Sequence, residues 1–536
     1  MLKRSGFAKS KKGSSFACML KYKPVLSLAF LICLIPLGLR AHPTDDAIGE
    51  SESTESSAKK VEESSIFPAE PSVTHHTVTI GGEEISYTAT VGTLTLRDGK
   101  EEPTAKVFYI AYTRDGLDDL TERPLTFSFN GGPGSSSVWL HMGILGPKRV
   151  LLDDLGNAPA PPYRLTENEY SLLDTTDLVF IDPVSTGFSR SVDPEKAGQF
   201  HGVEGDLRSV AEFIRLYTTR HERWTSPKFL IGESYGTTRA AGLAETLAEE
   251  HRLYLNGIML VSAVLNFQTI RFREGNDLPF VLYFPSYTAT AYYHQKLPDD
   301  LLARPLREVL DEAEAFAKGP YLQALFEGDR QDADSRQKVL SGLSRYTGID
   351  EQYFIDQNLR PVMWGIATEM LRDEGKVIGR FDGRYTGPVR SSGHPLMPYD
   401  PSGTAIDGIF AATFHDYVRG ELGFVTDRPY EILTGNVHPW DWGTGNNYIN
   451  TAEPLADVLT QQPFLQVHVS NGYTDLATPY YATEYTFAQL ELPPEVRERI
   501  HMDYFDAGHM MYLNLPDLKK QKKVLAEFIE RASRQN

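Results

Sequence analysis

Three residues carry functional groups that together perform acyl transfer. Ser234 sits in Gly232-Glu233-Ser234-Tyr235-Gly236, Asp475 ends Ser470-Asn471-Gly472-Tyr473-Thr474-Asp475, and His509 lies in Asp506-Ala507-Gly508-His509-Met510. A serine hydroxyl is a poor nucleophile until a base stands beside it. An imidazole can take its proton and return it to a leaving group, while a carboxylate fixes the imidazole tautomer. The chain order Ser, Asp, His is one of the orders in which such triads occur. The chain holds 14 histidines, and His509 stands out by its Gly-His turn after a late strand. Asp503 and Asp506 are the rival acids. Asp503 falls inside that strand, and Asp506 is too near His509 in sequence to reach it easily from behind. Asp475 is preferred because the acid is expected on a separate, earlier strand.

Such groups meet only if the fold brings distant loops together. Lys228 to Ile231 reads as a buried strand, and Thr237 to Glu250 as a helix with Ala240, Ala241, Ala244, Leu247 and Ala248 on one side. Strand, G-x-S-x-G and helix form a nucleophile elbow, in which Gly232 and Gly236 leave room for neighbouring backbone. The helix start presents the Tyr235 N–H to developing negative charge. Strands are also expected at Leu465 to Ser470 and His501 to Phe505, each just before a chemical residue. Leu125 to Phe129 precedes Asn130-Gly131-Gly132-Pro133-Gly134-Ser135-Ser136, a turn able to aim N–H groups at an oxyanion. A phosphate loop would need a following Gly-Lys-Ser/Thr, which is absent.

The remaining pattern supplies the scaffold. His76 to Ile80, Glu84 to Val91 and Ala105 to Thr113 alternate as antiparallel strands, with Gly81-Gly82 as a hairpin turn. Leu178 to Asp182 and Gly257 to Ala263 are further short apolar runs. Val203, Leu207, Val210, Ile214 and Tyr217 make one helix stripe, and Leu518, Leu525, Phe528 and Ile529 another. Strands alternating with helices imply a mostly parallel sheet. Residues 266–462 read as a mainly helical insertion, with helices at Arg304 to Lys318, Ser335 to Tyr346, Pro361 to Asp373 and Phe414 to Glu421. Arg380 to Gly403 is rich in Gly, Pro and Ser. Over the carboxyl edge of a sheet, such a cap shapes the pocket. Its aromatics, Tyr287, Tyr292, Tyr293, Trp364, Trp440 and Trp442, are expected mainly in its core.

Composition bounds the rest. The chain has 536 residues, 41% hydrophobic and 23% charged, as in globular proteins. Its net charge is −19, and eight of its 53 Lys/Arg lie in the first 41 residues, leaving 45 against 72 acids. That surface disfavours nucleic acid and anionic membranes. A basic start, the apolar run Pro24 to Leu39 and Leu39-Arg40-Ala41 read as an export signal at 1–41. The run is shorter than the roughly 20 residues of a membrane-spanning helix. Residues 42–72 are polar and read as a disordered linker. Cys18 and Cys33 both fall in the leader, so the mature chain forms no disulfide or Cys-based metal site. His75-His76 lacks ligand partners and reads as loop. No cofactor or metal is expected.

The motifs together resemble the serine carboxypeptidase family. Phe129-Asn130-Gly131-Gly132-Pro133-Gly134-Ser135-Ser136, Gly232-Glu233-Ser234-Tyr235-Gly236 and Ala507-Gly508-His509-Met510 are similar to its three signature segments, and Ile181 to Ser189 to a fourth. The resemblance runs from about Val73 onward. It implies an α/β-hydrolase fold of core 73–265 and 463–536 around the cap, the triad Ser234, Asp475 and His509, and oxyanion N–H groups from Gly132 and Tyr235. It further implies peptide substrates with a free C-terminus, whose carboxylate binds Asn130 and Glu233. A glutamate facing a carboxylate shares a proton with it. Two departures stand out. Ile144 occupies the family's second-glutamate position before Leu145-Gly146-Pro147, and Ser135 replaces a half-cystine. The first leaves one carboxylate-binding hydrogen bond missing or supplied by another residue. Three functions follow in order: an exported carboxypeptidase, an esterase, amidase or acyltransferase on the same scaffold, and a catalytically dead binding protein.

Overall fold

The computed structural model describes residues 70–390 and 399–534. The leader, both cysteines and all but the last three residues of the expected linker lie outside them. Val, Thr, Ile and Tyr alternation builds the first three strands, β1 (Ser72–Ile80), β2 (Glu83–Arg97) and β3 (Pro103–Arg114). Gly81 and Gly82 turn β1 into β2 with φ of 59° and 87°. The strand expected from His76 is β1, and it begins earlier and takes in His75 too, so the His75-His76 pair is not a loop. Their partners Thr88 and Tyr87 on β2 extend the strand back over them, and His76 stacks on Tyr87 at 5.4 Å.

Fully buried apolar runs form the centre: β4 (Leu125–Phe129), β5 (Asp177–Ile181), β6 (Lys228–Glu233), β7 (Gly257–Val261), β8 (Gln466–Gly472) and the half-buried edge strand β9 (Ile500–Phe505). The sheet order is β1-β2-β3-β5-β4-β6-β7-β8-β9, with Arg190–Ser191 paired beside β3. All pairs from β5 to β9 are parallel, and those from β1 to β5 antiparallel. Parallel pairing requires crossovers. The helices α1 (Val203–Arg220) and α2 (Tyr235–His251) supply two of them. Their buried stripes, including Val210, Ile214, Leu243 and Leu247, cover one sheet face. The other face packs on Leu518, Leu525, Phe528 and Ile529. The sequence stripes therefore face the sheet as their periods require. The parallel sheet, flanking helices and helical insertion make this an α/β-hydrolase architecture.

Between β7 and β8 the chain forms mainly helices, among them α3 (Leu278–Tyr293), α4 (Leu306–Phe316), α5 (Ala333–Thr347), α6 (Pro401–Gly420) and α7 (Ala452–Gln461). A separate core joins α3, α4 and α5 through Phe284, Tyr287, Val309 and Leu343. The Pro361 to Asp373 stretch is α-helical at Met363–Glu369 and ends in a 3-10 turn at Arg372–Glu374. Phe414 to Gly420 of the expected helix Phe414 to Glu421 is the end of the 20-residue α6, whose first half is hidden in sequence by Pro, Ser and Gly. There Asp400 accepts from the Ser402 N–H, and Pro401 occupies the first turn, where its missing N–H costs nothing. The last helix, α8 (Leu515–Ser533), returns to the sheet.

Candidate active site

Parallel strands end at one edge, so the loops after β4, β6, β8 and β9 converge there. Ser234 closes β6 with φ 59° and ψ −129°, a conformation costly for a residue with a β-carbon. The surroundings enforce it. The Ser234 N–H donates to Val261 O at 3.0 Å, and its carbonyl accepts from the Thr237 N–H at 2.8 Å. A β-carbon at Gly232 would stand 2.1 Å from Gly236 O, and one at Gly236 2.9 Å from Phe129 O. Gly131, in the turn after β4, is equally confined: its β-carbon would meet Tyr235 N at 2.4 Å. The two glycine motifs are thus pressed together. Tyr235 heads α2, so its N–H lacks an intrahelical acceptor.

His509 Nδ1 lies 2.8 Å from Asp475 Oδ2, with both side chains buried. The other carboxylate oxygen accepts from the N–H groups of Ala477 and Thr478 at 2.7 and 2.9 Å. The Thr478 hydroxyl donates to Asp475 Oδ2 at 2.8 Å. The rival acids are engaged elsewhere. Asp503 pairs with His468 at 3.0 Å, and Asp506 is exposed whereas the His509 ring is buried. Burial lowers the affinity of the His509 imidazole for a proton. The charge and hydrogen bond of Asp475 and the charge of Glu233 outweigh this and leave its pKa raised.

Ser234 and His509 line the same cavity of about 370 Å³, with Asn130, Gly131, Gly132 and Glu233. Among the described residues no hydrogen bond joins the Ser234 hydroxyl to the ring. Such bonds tighten commonly only when substrate is bound. Glu233 Oε1 accepts from Asn130 Nδ2 at 3.0 Å, and Oε2 from the Tyr512 hydroxyl at 2.6 Å. Burial pushes the Glu233 carboxyl up to about 7, against the opposing effects of the His509 charge and of both hydrogen bonds. Asn130 is held in turn: its Oδ1 accepts from the Leu140 N–H at 3.1 Å, and its carbonyl from Arg239 at 2.6 Å. Trp139 and Phe381 are the cavity's aromatics. Ser135, at the half-cystine position, accepts from the Trp139 indole at 3.1 Å. Of the aromatics named from sequence, Tyr287 is in the insertion's core and Trp440 packs on Tyr235, while Trp442 lines a separate cavity of about 420 Å³.

Four positioning residues escape sequence reasoning. Tyr512 lies three residues after His509, and that proximity was the available signal. Arg239 pairs with Asp206 at 2.8 Å and sits under the Phe129 and Tyr235 rings, tying α2 to the turn after β4. Phe381 and Asp382 come from the Gly- and Pro-rich part of the insertion. The Phe381 carbonyl accepts from the His509 N–H at 2.6 Å, and its ring lies 5.2 Å from the imidazole. Asp382 accepts from the Thr474 hydroxyl at 2.8 Å and the Gly508 N–H at 3.0 Å. One segment of the insertion therefore fastens the acid loop to the base loop.

Comparison with known proteins bears on the fold and on the sequence of the first core segment. Residues 87–301 match the serine carboxypeptidase family model. Serine carboxypeptidase-like 35 from Arabidopsis thaliana is 30% identical over 180 residues, 31% of this chain and 35% of the relative. The pheromone-processing carboxypeptidase KEX1 of Yarrowia lipolytica is 30% identical over 144 residues, 26% of this chain and 22% of the relative. The matched stretch spans about a third of the plant relative's length. The crystal structure of the prohormone-processing carboxypeptidase KEX1(delta)p from Saccharomyces cerevisiae superposes with a TM-score of 0.52 at 16% identity, covering 83% of this chain and 91% of that one. The chain thus has the α/β-hydrolase fold, and its first core segment is similar in sequence to serine carboxypeptidases.

Proposed function

We propose that this protein is a serine-type carboxypeptidase, with Ser234, His509 and Asp475 as its triad. The Ser234 oxygen attacks the last peptide carbonyl as His509 Nε2 takes its proton. The N–H groups of Gly132 and Tyr235 receive the oxyanion. The C–N bond breaks, His509 protonates the departing amine, and an acyl-enzyme remains. Water then repeats the sequence, losing a proton to His509 and releasing the shortened peptide. The observation that carries this reading is the buried Glu233–Asn130 pair in the wall of the cavity that Ser234 and His509 share. Asn130 and a protonated Glu233 would donate to the terminal carboxylate, which makes an exopeptidase of a general hydrolase. Peptides with a free C-terminus are the substrates, and no nucleic acid or stable membrane insertion is part of the reading. Residues 1–41 act as an export signal and 42–72 as a linker, on their composition alone.

The pH dependence follows from these groups. Chemistry needs neutral His509, so kcat falls as pH drops through its raised pKa. Carboxylate binding needs protonated Glu233, so KM rises as pH climbs through about 7. In Glu233→Gln the amide nitrogen donates at every pH. KM for a free-acid peptide should then stay flat from pH 6 to 8, by order of magnitude, where the wild type rises about tenfold. The acid limb of kcat should stay in place, because in the substrate complex Glu233 is already neutral and no longer raises the His509 pKa. An unchanged KM profile would remove Glu233 from carboxylate recognition. The esterase or amidase reading is tested by a free-acid peptide and its C-terminally amidated twin. Equal rates would favour that reading.

A further inference from the structure

Glu233 has two oxygens and two hydrogen-bond donors, and the donors differ in where they stand. Asn130, on Oε1, is in the cavity wall. Tyr512, on Oε2, is 2% exposed and lies behind the glutamate, away from the cavity lining. Its ring fills the space against the segment that carries Ile144: a β-carbon at Gly143 would stand 2.3 Å from the Tyr512 ring. Ile144 itself is fully buried among apolar side chains. The hydrogen bond on Glu233 Oε2 thus comes not from position 144 but from a tyrosine three residues past His509, packed against the neighbouring Gly143.

We propose that Tyr512 is the positioning residue of the carboxylate subsite, its hydroxyl pinning Glu233 Oε2 so that the proton offered to substrate sits on Oε1, toward Asn130 and the cavity. This rests on the carboxypeptidase reading and goes beyond it. The substitution changes the proton bookkeeping. A second carboxyl beside Glu233 could store or yield a proton. Burial and the Glu233 charge hold the Tyr512 hydroxyl protonated far above neutrality, so it only donates. One ionisation, that of Glu233, then governs carboxylate binding. The groups facing Glu233 are Tyr512, Asn130, His509 and, through charge, Asp475, while Arg380 and Asp407 line the same cavity.

The test is Tyr512→Phe, which keeps the ring that fills the space at Gly143. Rates are measured from pH 5 to 9 with a free-acid peptide and with a C-terminal ester of the same peptide. Loss of a hydrogen bond to the carboxyl should lower the free-acid to ester ratio of kcat/KM about tenfold at pH 6. The Tyr512 bond favours the ionised form of Glu233. Its removal should also shift the rise in free-acid KM to higher pH, an effect that loosened packing alone does not produce. A preserved ratio with an unshifted KM profile would overturn the role of Tyr512 and leave the carboxypeptidase reading intact. A wild-type enzyme with no preference for the free acid would overturn both. Unfolding of the variant would be met with Tyr512→His, whose ring N–H can donate to Oε2. Failure of that variant to restore the free-acid preference would likewise count against the proposal.

Discussion

Ser234→Ala should fold as the wild type and lose activity on the order of 10⁶-fold in kcat. The two halves of this expectation have separate causes. The strain at φ 59° comes from the β-carbon, which alanine keeps. The Ser234 hydroxyl makes no hydrogen bond among the described residues, so the fold loses no contact with it. Stability should therefore change by no more than about 0.5 kcal/mol. Activity depends on that same idle oxygen. His509→Ala should cost nearly as much, and the double variant little more than either, since the two groups act as one unit. A fluorophosphonate should label the wild type at Ser234 and leave Ser234→Ala unmodified. Additive losses, or labelling at another serine, would show that the nucleophile lies elsewhere.

Glycine spacing and strand order make much of this site legible in the amino-acid sequence. Gly232 and Gly236 are required because backbone oxygens stand where their β-carbons would be. That is a local constraint, and it is visible as G-x-S-x-G. The positions of Ser234, Asp475 and His509 follow from three short parallel strands, two of them fully buried and the last a half-buried edge. What stayed hidden was contributed across long sequence distances by residues with no local signature. Asp382 lies in a stretch whose Gly, Pro and Ser content reads as plain loop, yet it is 92 positions from its partner Thr474 and 126 from Gly508. Arg239 has no local signature, yet it is 1% exposed and paired with Asp206 from the preceding helix. Polar groups buried this way need partners, and only the folded topology says which partners are near. His75 and His76 failed for the opposite reason: a polar pair reads as loop until the neighbouring strand supplies its register.

The insertion therefore does more than cover the pocket. Phe381 and Asp382 hold the backbone of His509 and Gly508, and the Arg380 carbonyl accepts from the Leu476 N–H at 3.1 Å, one residue past Asp475. Leu476 is fully buried in the insertion's own core. The separation between acid and base is thus set partly by the insertion and partly by β8 and β9. Changes that loosen the core around α3 and α4 would reach the triad through Leu476.

Asp475→Asn should reduce kcat about 10⁴-fold while the side chain keeps its place. Two backbone N–H groups, of Ala477 and Thr478, point at Oδ1. An amide NH₂ cannot face them, so the asparagine carbonyl must take the Oδ1 position. Its nitrogen then replaces Oδ2 and donates toward His509 Nδ1. That ring nitrogen must become an acceptor, which moves the ring proton to Nε2, the atom meant to receive the proton of Ser234. The variant would hold its imidazole in an unreactive tautomer by the same contacts that align the wild type. The check is kcat together with nitrogen NMR of the His509 ring, which should report protonated Nε2 in the variant and protonated Nδ1 in the wild type near pH 8. A loss below about 100-fold, or an unchanged tautomer, would mean that Asp475 does not orient the base.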